Sequence, residues 1–183
     1  MKNKYIFTSE RLGFRNWQPT DTAQLFALNS DKEVMEFFPH LPSLEETKAL
    51  IEKMTNQFEK NGFCYFAVDV LEAGEFIGFI GIAEQNFEAD FTPCIDIGWR
   101  LDKKYWGKGY ASEGAKRCLE FAFKEKQIDS VKAVAPKINR KSVGVMKKIG
   151  MKYIKDFKHP ALKDNKKLEN CVLYEINKVD FFH

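Results

Sequence analysis

Hydrophobic positions along the chain recur at helical spacing in some segments and run almost unbroken in others. Ser43 and Glu46 form a capping-box pattern, and the apolar residues after them keep helical spacing until Gly62. Residues 76–83 are apolar on both faces, as in a central strand. A helix from about Ala111 carries an apolar stripe opposite its charged residues. The pattern therefore predicts helices and strands that share one core.

The order of the predicted elements is one strand, three helices, three strands, a helix, a strand, a helix and two strands. The predicted strands cover residues 11–16, 63–70, 76–83, 94–101, 131–136, 151–157 and 171–178, and the predicted helices begin near residues 19, 31, 43, 111 and 139. No repeat or linker divides them. We therefore predict a single domain over residues 1–183 with an α+β fold. Its sheet is mixed, mostly antiparallel and seven-stranded, with helices on both faces.

The composition is that of an ordinary soluble domain. Hydrophobic residues make up 44% and charged residues 30% of the 183 positions, which argues against disorder. The 29 basic and 26 acidic residues are interspersed, so the net charge of +3 offers no basic patch to a nucleic acid. The start of the chain lacks a signal-peptide core, and residues 76–83 are too few to cross a bilayer. We expect a cytoplasmic protein without a membrane partner.

The cysteines and histidines are too scattered to indicate a metal site. They are Cys64, Cys94, Cys118, Cys171, His40, His159 and His183, and no pair of cysteines has metal-ligand or redox-motif spacing. We expect reduced, mostly buried thiols and no bound metal.

A glycine-flanked lysine, Gly107-Lys108-Gly109, connects a predicted strand to a predicted helix. In such a turn the backbone N–H groups converge with the unpaired N–H groups and positive dipole end of the helix, a combination that binds phosphate. Lys108 either adds charge there or is simply solvated. Walker and dinucleotide loops are excluded, because Gly109 replaces the Ser or Thr of the first and Ser112 the third glycine of the second. A plain tight connection is the alternative.

The sequence around this turn resembles a known family. Trp106-Gly107-Lys108-Gly109-Tyr110-Ala111 fits the coenzyme loop Arg/Gln-x-x-Gly-x-Gly/Ala of the GNAT superfamily of N-acetyltransferases, with Trp in place of the first residue. The chain resembles in particular the branch of ribosomal-protein N-terminal acetyltransferases. Further strings extend this likeness over nearly the whole chain: SERLGFRNW at 9–17, DIGWRL at 96–101, NRKSVGVMKKIGM at 139–151 and HPAL…VLYEI at 159–176.

This resemblance implies transfer of an acetyl group from acetyl-CoA to a primary amine, by direct attack in a ternary complex. It also implies a wedge in the sheet, where two neighbouring strands splay apart and the pantetheine arm lies. The coenzyme-binding residues that it implies are Trp99, Leu101, Trp106, Gly107, Lys108, Gly109, Tyr110, Ala111 and Asn139.

Asp96 is the first candidate for the base that removes the amine's proton. An acid inside an apolar strand needs a reason, and the branch usually has Glu at this position. The alternative is an ion pair between Asp96 and Arg100 on the same strand face. Glu84 is a second candidate base. A backbone N–H near Ile97 or Gly98 is expected to bind the developing oxyanion.

The chain departs from the family pattern at the general acid. Many members have a tyrosine that protonates the departing thiolate, and Met146 occupies that position here. Ser142 lies one helical turn earlier on the same stripe and is our candidate for this role. The alternative is that Ser142 is a small packing residue whose hydroxyl bonds the carbonyl four residues back.

The acceptor amine stays open between a protein N-terminus and a small molecule, such as a polyamine, an amino acid or an aminoglycoside-like compound. Phe37 and Phe38 fall where acceptor pockets form in this family, with core packing as the alternative. A non-catalytic acetyl-CoA-binding module of the same fold is the alternative function, suggested by Met146. Both a monomer and a homodimer fit the resemblance.

Overall fold

The computed structural model of the protein describes residues 4–183. Its strands and helices, in chain order, are β1 (Phe7–Thr8), β2 (Leu12–Arg15), α1 (Asp21–Asn29), α2 (Leu44–Asn61), β3 (Tyr65–Val70), β4 (Glu75–Gln85), β5 (Cys94–Leu101), α3 (Tyr110–Lys124), β6 (Ser130–Pro136), α4 (Arg140–Lys148), β7 (Lys152–Lys158), β8 (Asn170–Asn177) and α5 (Lys178–Phe182). Two 3-10 helices, Lys103–Tyr105 and Pro160–Leu162, lie between β5 and α3 and between β7 and β8.

Within residues 4–183 the strands form one sheet in the order β1-β2-β3-β4-β5-β6-β8-β7. All neighbouring strands are antiparallel except β5 and β6, which are parallel. The predicted α+β fold with a mostly antiparallel sheet is therefore confirmed, but the sheet has eight strands instead of seven. The additional strand is β1, which contributes only Phe7 and Thr8. Two residues are too few to show an alternating pattern.

Helices pack on both faces of this sheet, as predicted. Successive residues of a strand point to opposite faces, so Phe79 and Ile80 of β4 mark the two sides. Arg100, which pairs with Phe79 across β4 and β5, is hydrogen-bonded to Asn29 at the end of α1. On the other side, a Cβ added to Gly114 of α3 would lie 2.4 Å from Ile80 Cδ1. Glycine at this position therefore lets α3 approach the sheet closely.

The capping box predicted for α2 is present. Glu46 N donates to Ser43 Oγ (3.1 Å), and Ser43 N donates back to the Glu46 carboxylate (2.7 Å). Gly62 ends the helix with a φ of 71°, a left-handed conformation that glycine adopts without strain. The helix boundaries were thus encoded locally.

The helix predicted for residues 31–38 is wrong. The chain makes consecutive turns there, in which Met35 N donates to Asp31 O and Phe38 N donates to Met35 O. Val34 and Met35 are buried in the main core. Burial of these apolar side chains, rather than a regular helix, fixes the path of the segment toward Pro39.

The cysteines are free, and Cys64, Cys118 and Cys171 are buried. Burial raises the pKa of Cys64 and Cys118, and that of Cys171 to about 11. These thiols are therefore protonated at neutral pH and behave as core residues. Among residues 4–183, no helix is both long and apolar enough to span a membrane.

Candidate active site

A wedge opens in the sheet where β5 and β6 diverge. β5 is paired with β4 along its whole length, but its one ladder pair with β6 joins Asp96 to Lys132. Within the described chain, residues 97–101 of β5 consequently have no ladder partner on the β6 side. Apart from Leu101 O, which accepts a hydrogen bond from Trp106 Nε1, their backbone groups on that side are available to an extended ligand, which can pair with them as an added strand does.

The glycine turn lies at the end of this wedge and leads directly into α3. Gly107 and Gly109 have φ values of 73° and 83°, which a residue with a Cβ adopts only with strain. Gly107 is exposed, and no atom lies within 4 Å of where its Cβ would be. No side chain caps the N-terminus of α3. The first N–H groups of α3 therefore remain available to a bound anion.

One cleft of about 530 Å³ joins the turn, the wedge and α4. Among the predicted site residues, it is lined by Trp99, Leu101, Trp106, Gly107, Gly109, Tyr110, Ala111, Asn139 and Ser142. Phe37 and Phe38 line it as well, from the segment that precedes α2. Lys108 and Asp96 do not line the cleft. Lys108 is exposed, with its ammonium group 5.3 Å from the Tyr105 ring.

An ion-pair clamp holds the turn in place. Arg11 donates from Nε to Glu113 Oε2 (2.7 Å) and from Nη1 to the carbonyl of Lys108 (3.1 Å). Its guanidinium carbon also lies 4.5 Å from the centroid of the Tyr110 ring. Ser9 Oγ donates to the other oxygen of Glu113 (2.7 Å). The sequence alone predicted no role for these side chains, although Ser9 and Arg11 belong to the string SERLGFRNW.

The N-terminus of α4 forms the opposite wall of the cleft. Asn139 caps α4 by accepting a hydrogen bond at Oδ1 from Ser142 N (3.1 Å). Lys141 lies with its ammonium group 4.1 Å from the centroid of the Trp106 ring, and Trp106 Nε1 donates to Leu101 O (2.9 Å). Met146, by contrast, is buried in the core with only 1% of its surface exposed.

Asp96 is held by side chains from two other strands. Tyr65 Oη donates to both carboxylate oxygens (2.7 and 2.8 Å), and Gln85 Nε2 donates to Oδ1 (3.2 Å). Burial raises the pKa of Asp96 to about 6, and these two hydrogen bonds limit the rise. A Cβ on Gly98 would lie 3.0 Å from Tyr65 Cζ, so glycine makes room for the Tyr65 ring.

The alternative ion pair between Asp96 and Arg100 is not formed. Arg100 Nη1 donates instead to Asn29 Oδ1 (2.7 Å), while Asp96 is bonded by Tyr65. The second candidate base, Glu84, is exposed and paired with Lys60 (3.1 Å), and it does not line the cleft. Hydrogen bonding to Lys60 lowers the pKa of Glu84, which weakens it as a base.

Comparison with known proteins identifies the family. The family described as "Acetyltransferase (GNAT) domain" matches residues 11–152, so the chain belongs to the GNAT acetyltransferases. It is 31% identical over 159 residues to "Uncharacterized N-acetyltransferase YnaD" of Bacillus subtilis, covering 86% of this chain and 89% of that protein.

Solved structures give the same family. An acetyltransferase (GNAT family) from Bacillus anthracis superposes with a TM-score of 0.78 at 26% identity, covering 94% of this chain and 98% of that one. A ribosomal-protein-S5-alanine acetyltransferase from Vibrio fischeri shares the fold, with a TM-score of 0.75 at 19% identity over 96% of this chain and 97% of that one. Among residues 4–183, no group of three or more His, Cys, Asp or Glu side chains is arranged to hold a metal ion.

Proposed function

We propose that the protein is an acetyl-CoA-dependent N-acetyltransferase that acts on a primary amine by direct attack in a ternary complex. One observation carries this proposal: the glycine turn before the uncapped α3 opens into the same cleft as the unpaired edge of β5. N–H groups of residues 107–111 would hold the diphosphate, and the backbone near Trp99 and Leu101 would pair with the pantetheine arm. The Asn139 side chain lies beside the same path.

The residues of this site provide the proton transfers that aminolysis of a thioester requires. A primary amine has a pKa of about 8 to 10 and is mostly protonated at neutral pH. Asp96, with a pKa of about 6, accepts its proton through the Tyr65 hydroxyl, which already donates to the carboxylate. The amine nitrogen then bonds to the acetyl carbon and the carbon–sulfur bond breaks, while the nitrogen loses its second proton to solvent. Ser142 donates a proton to the departing thiolate and regains one from solvent.

A backbone N–H near Ile97 or Gly98 would bind the carbonyl oxygen as it gains charge. Donors of this kind contribute about 3 to 4 kcal/mol to transition-state stabilisation. This stretch of β5 lies immediately after the last contact with β6. This stretch is held in the sheet by β4 on one side, and its other side faces the open wedge.

The experiment measures thiol release from acetyl-CoA across a panel of amines and N-terminal peptides. Asp96→Asn is expected to lower kcat by roughly 100-fold or more and to remove the loss of activity below about pH 6, with acetyl-CoA affinity unchanged. Glu84→Gln is the matched control, since it removes an exposed strand carboxylate that is paired with Lys60 and not with Tyr65, and it should leave both quantities unchanged. A fully active Asp96→Asn enzyme would remove Asp96 from the mechanism.

The same panel separates the enzyme from the alternative function. Acetyl-CoA binding without thiol release for any amine would identify a non-catalytic coenzyme-binding module. We further propose a cytoplasmic protein, monomeric or homodimeric, whose partner is an amine rather than a nucleic acid or a membrane. The interspersed charge and the net charge of +3 support this choice of partner.

A further inference from the structure

Arg100 lies in the wall of the cleft, next to the end of β5. Its guanidinium carbon is 4.1 Å from the centroid of the Phe38 ring and 5.2 Å from that of the Phe79 ring. Phe38 belongs to the segment before α2, which lines the cleft opposite the sheet. The two aromatic rings fix the guanidinium plane, and such stacking is favourable for arginine.

The hydrogen bonds of Arg100 leave its charge without a counterion. Nη1 donates to Asn29 Oδ1 (2.7 Å), and Asn29 is a neutral, fully buried side chain that donates in turn to Thr47 (3.2 Å). Arg100 Nε is buried and has no hydrogen-bond partner. Within residues 4–183, no carboxylate lies within 4.0 Å of this guanidinium.

Arg15, a buried arginine of the same sheet, shows the contrast. Arg15 is 5% exposed and donates to two carboxylates, those of Asp21 and Asp69, at 2.8 to 2.9 Å. Full pairing is the usual condition for a buried guanidinium, because removal of an unpaired charge from water is costly. Burial lowers the pKa of Arg100 to about 10, so the group still carries its charge at neutral pH. Arg100 therefore places an uncompensated positive charge in the wall of the cleft.

The other charges of the cleft are consistent with an anionic acceptor. Its further cations among the lining residues are Lys141 and Lys148, both on α4. Glu33 is the one carboxylate among the residues that line the cleft. It is paired with Lys103 (2.8 Å), which does not line the cleft. A polycationic acceptor such as a polyamine would meet Arg100 without a compensating anion.

We propose that Arg100 binds a carboxylate of the acceptor, so that the substrate is a small amine of the amino acid class. A guanidinium presents paired N–H donors in a plane that matches the two oxygens of a carboxylate. A single cation held between two rings fits a monoanion better than a phosphate, which carries about two charges. This inference rests on the proposed function, because it assigns the acceptor end of the same cleft.

The test compares each of the common amino acids with its C-terminal amide and its decarboxylated amine. Thiol release gives kcat and KM, and thermal shift in the presence of CoA gives binding without turnover. We expect the preferred amino acid to exceed both matched compounds in kcat/KM by roughly 10- to 100-fold. Peptides with an N-terminal Asp or Glu form a separate arm, and a preference for them over free amino acids would overturn the assignment to a small molecule.

Two substitutions test the role of Arg100 itself. Arg100→Met should raise KM for the amino acid by roughly 10- to 100-fold while changing that of the amide less than about threefold. Arg100→Lys retains the charge and should recover part of the preference, which also guards against a variant that fails to fold. The matched control is Lys152→Met, which removes an exposed cation of β7 that does not line the cleft. It should leave the acceptor preference unchanged.

The outcomes distinguish this inference from the proposed function. Equal activity toward amino acids, amides and amines would overturn the role of Arg100 and leave the transferase intact. An equal loss for all acceptors in both Arg100 variants would show a purely structural role and would also overturn it. Absence of thiol release from every acceptor would overturn the proposed function instead. The thermal shift would then decide the inference: stabilisation by an amino acid supports it only when Arg100→Met abolishes that stabilisation.

Discussion

Gly107 and Gly74 both have a positive φ, but they lie in different turns of the chain. Their φ values are 73° and 65°, and neither has an atom within 4 Å of where a Cβ would be. Alanine at either position therefore adds strain without a clash, and each substitution should lower the free energy of unfolding by about 1 kcal/mol. Only Gly107 lines the cleft. We expect Gly107→Ala, and not Gly74→Ala, to weaken acetyl-CoA binding by roughly tenfold.

Urea denaturation and isothermal titration measure these two quantities. Equal acetyl-CoA affinity in both variants would show that the turn does not approach the coenzyme. Unequal losses of stability would show that a contact, and not the left-handed conformation, determines the cost.

Asp96 links the stability of the fold to pH. Its pKa rises from 3.8 to about 6 on folding because burial disfavours the ionised form. Above pH 6 the carboxylate is ionised in both states, so the folded state carries the full penalty, about 2 to 3 kcal/mol. Well below pH 3.8 it is protonated in both states and the penalty disappears. We expect Asp96→Asn to be more stable than the wild type above pH 6, with a difference that shrinks between pH 6 and pH 4.

Paired chemical denaturation curves at several pH values measure this difference, in which the contributions of other titrating groups cancel. A difference that stays constant from pH 4 to pH 8 would contradict the raised pKa. Under the proposed mechanism, activity and stability oppose each other at this residue, since the burial that raises the pKa of Asp96 toward neutral pH also destabilises the fold.

Between elements, two arginines attach the N-terminal strands to α3. Arg11 reaches Glu113 and the Lys108 carbonyl, whereas Arg117 donates to Thr8 O (3.0 Å). Lysine cannot reproduce either set of directed donors. We expect Arg11→Lys to weaken acetyl-CoA binding by roughly fivefold, about 1 kcal/mol, because the turn loses its support.

Arg117→Lys is the matched control for this clamp. It removes a comparable link between α3 and the N-terminal strands and should leave acetyl-CoA affinity unchanged. Titration of both variants measures the effect. Equal weakening in the two variants would mean that general loosening of α3, and not the clamp on the turn, controls binding.

Elements with a local signal could be predicted from the sequence. The capping box and Gly62 define α2, and the strand predicted at residues 94–101 has the same bounds as β5. The helix predicted for residues 31–38 failed because apolar spacing there reflects burial of Val34 and Met35 in turns. Periodicity reports which side chains are buried, and short segments bury them without a regular helix.

In the candidate site, too, the part with a local sequence signal could be predicted and the part formed by distant residues could not. The turn is contiguous in sequence, so a phosphate-binding turn could be predicted from Gly107 and Gly109 alone. The partners of Asp96 and Arg100 come from residues 31 and 71 positions away in the chain, Tyr65 and Asn29. One strand alone suggested that the two charges pair with each other. Side chains from neighbouring strands and from α1 separate them, and only the fold brings these into contact.

At the scale of the whole molecule, one hydrophobic core connects the N-terminal strands to the last one. Its buried residues form one cluster in space, which includes Phe7 of β1 and Ile176 of β8. The wedge depends on this core, because both of its strands are held by neighbours. β4 and α3 pack against β5, and β8 pairs with β6. A chain built this way should unfold in a single cooperative transition, as predicted for a single domain.

Calorimetry tests this expectation. We expect one peak with equal calorimetric and van't Hoff enthalpies, and acetyl-CoA at 100 times its Kd should stabilise the whole molecule by about 2.7 kcal/mol. That corresponds to a rise in Tm of roughly 5 to 10 °C for a chain of this size. Two peaks, or a shift of only part of the heat absorption, would contradict a single domain. At the same acetyl-CoA concentration, the Gly107→Ala variant should show a smaller ligand-induced shift, because its affinity for the coenzyme is expected to be lower.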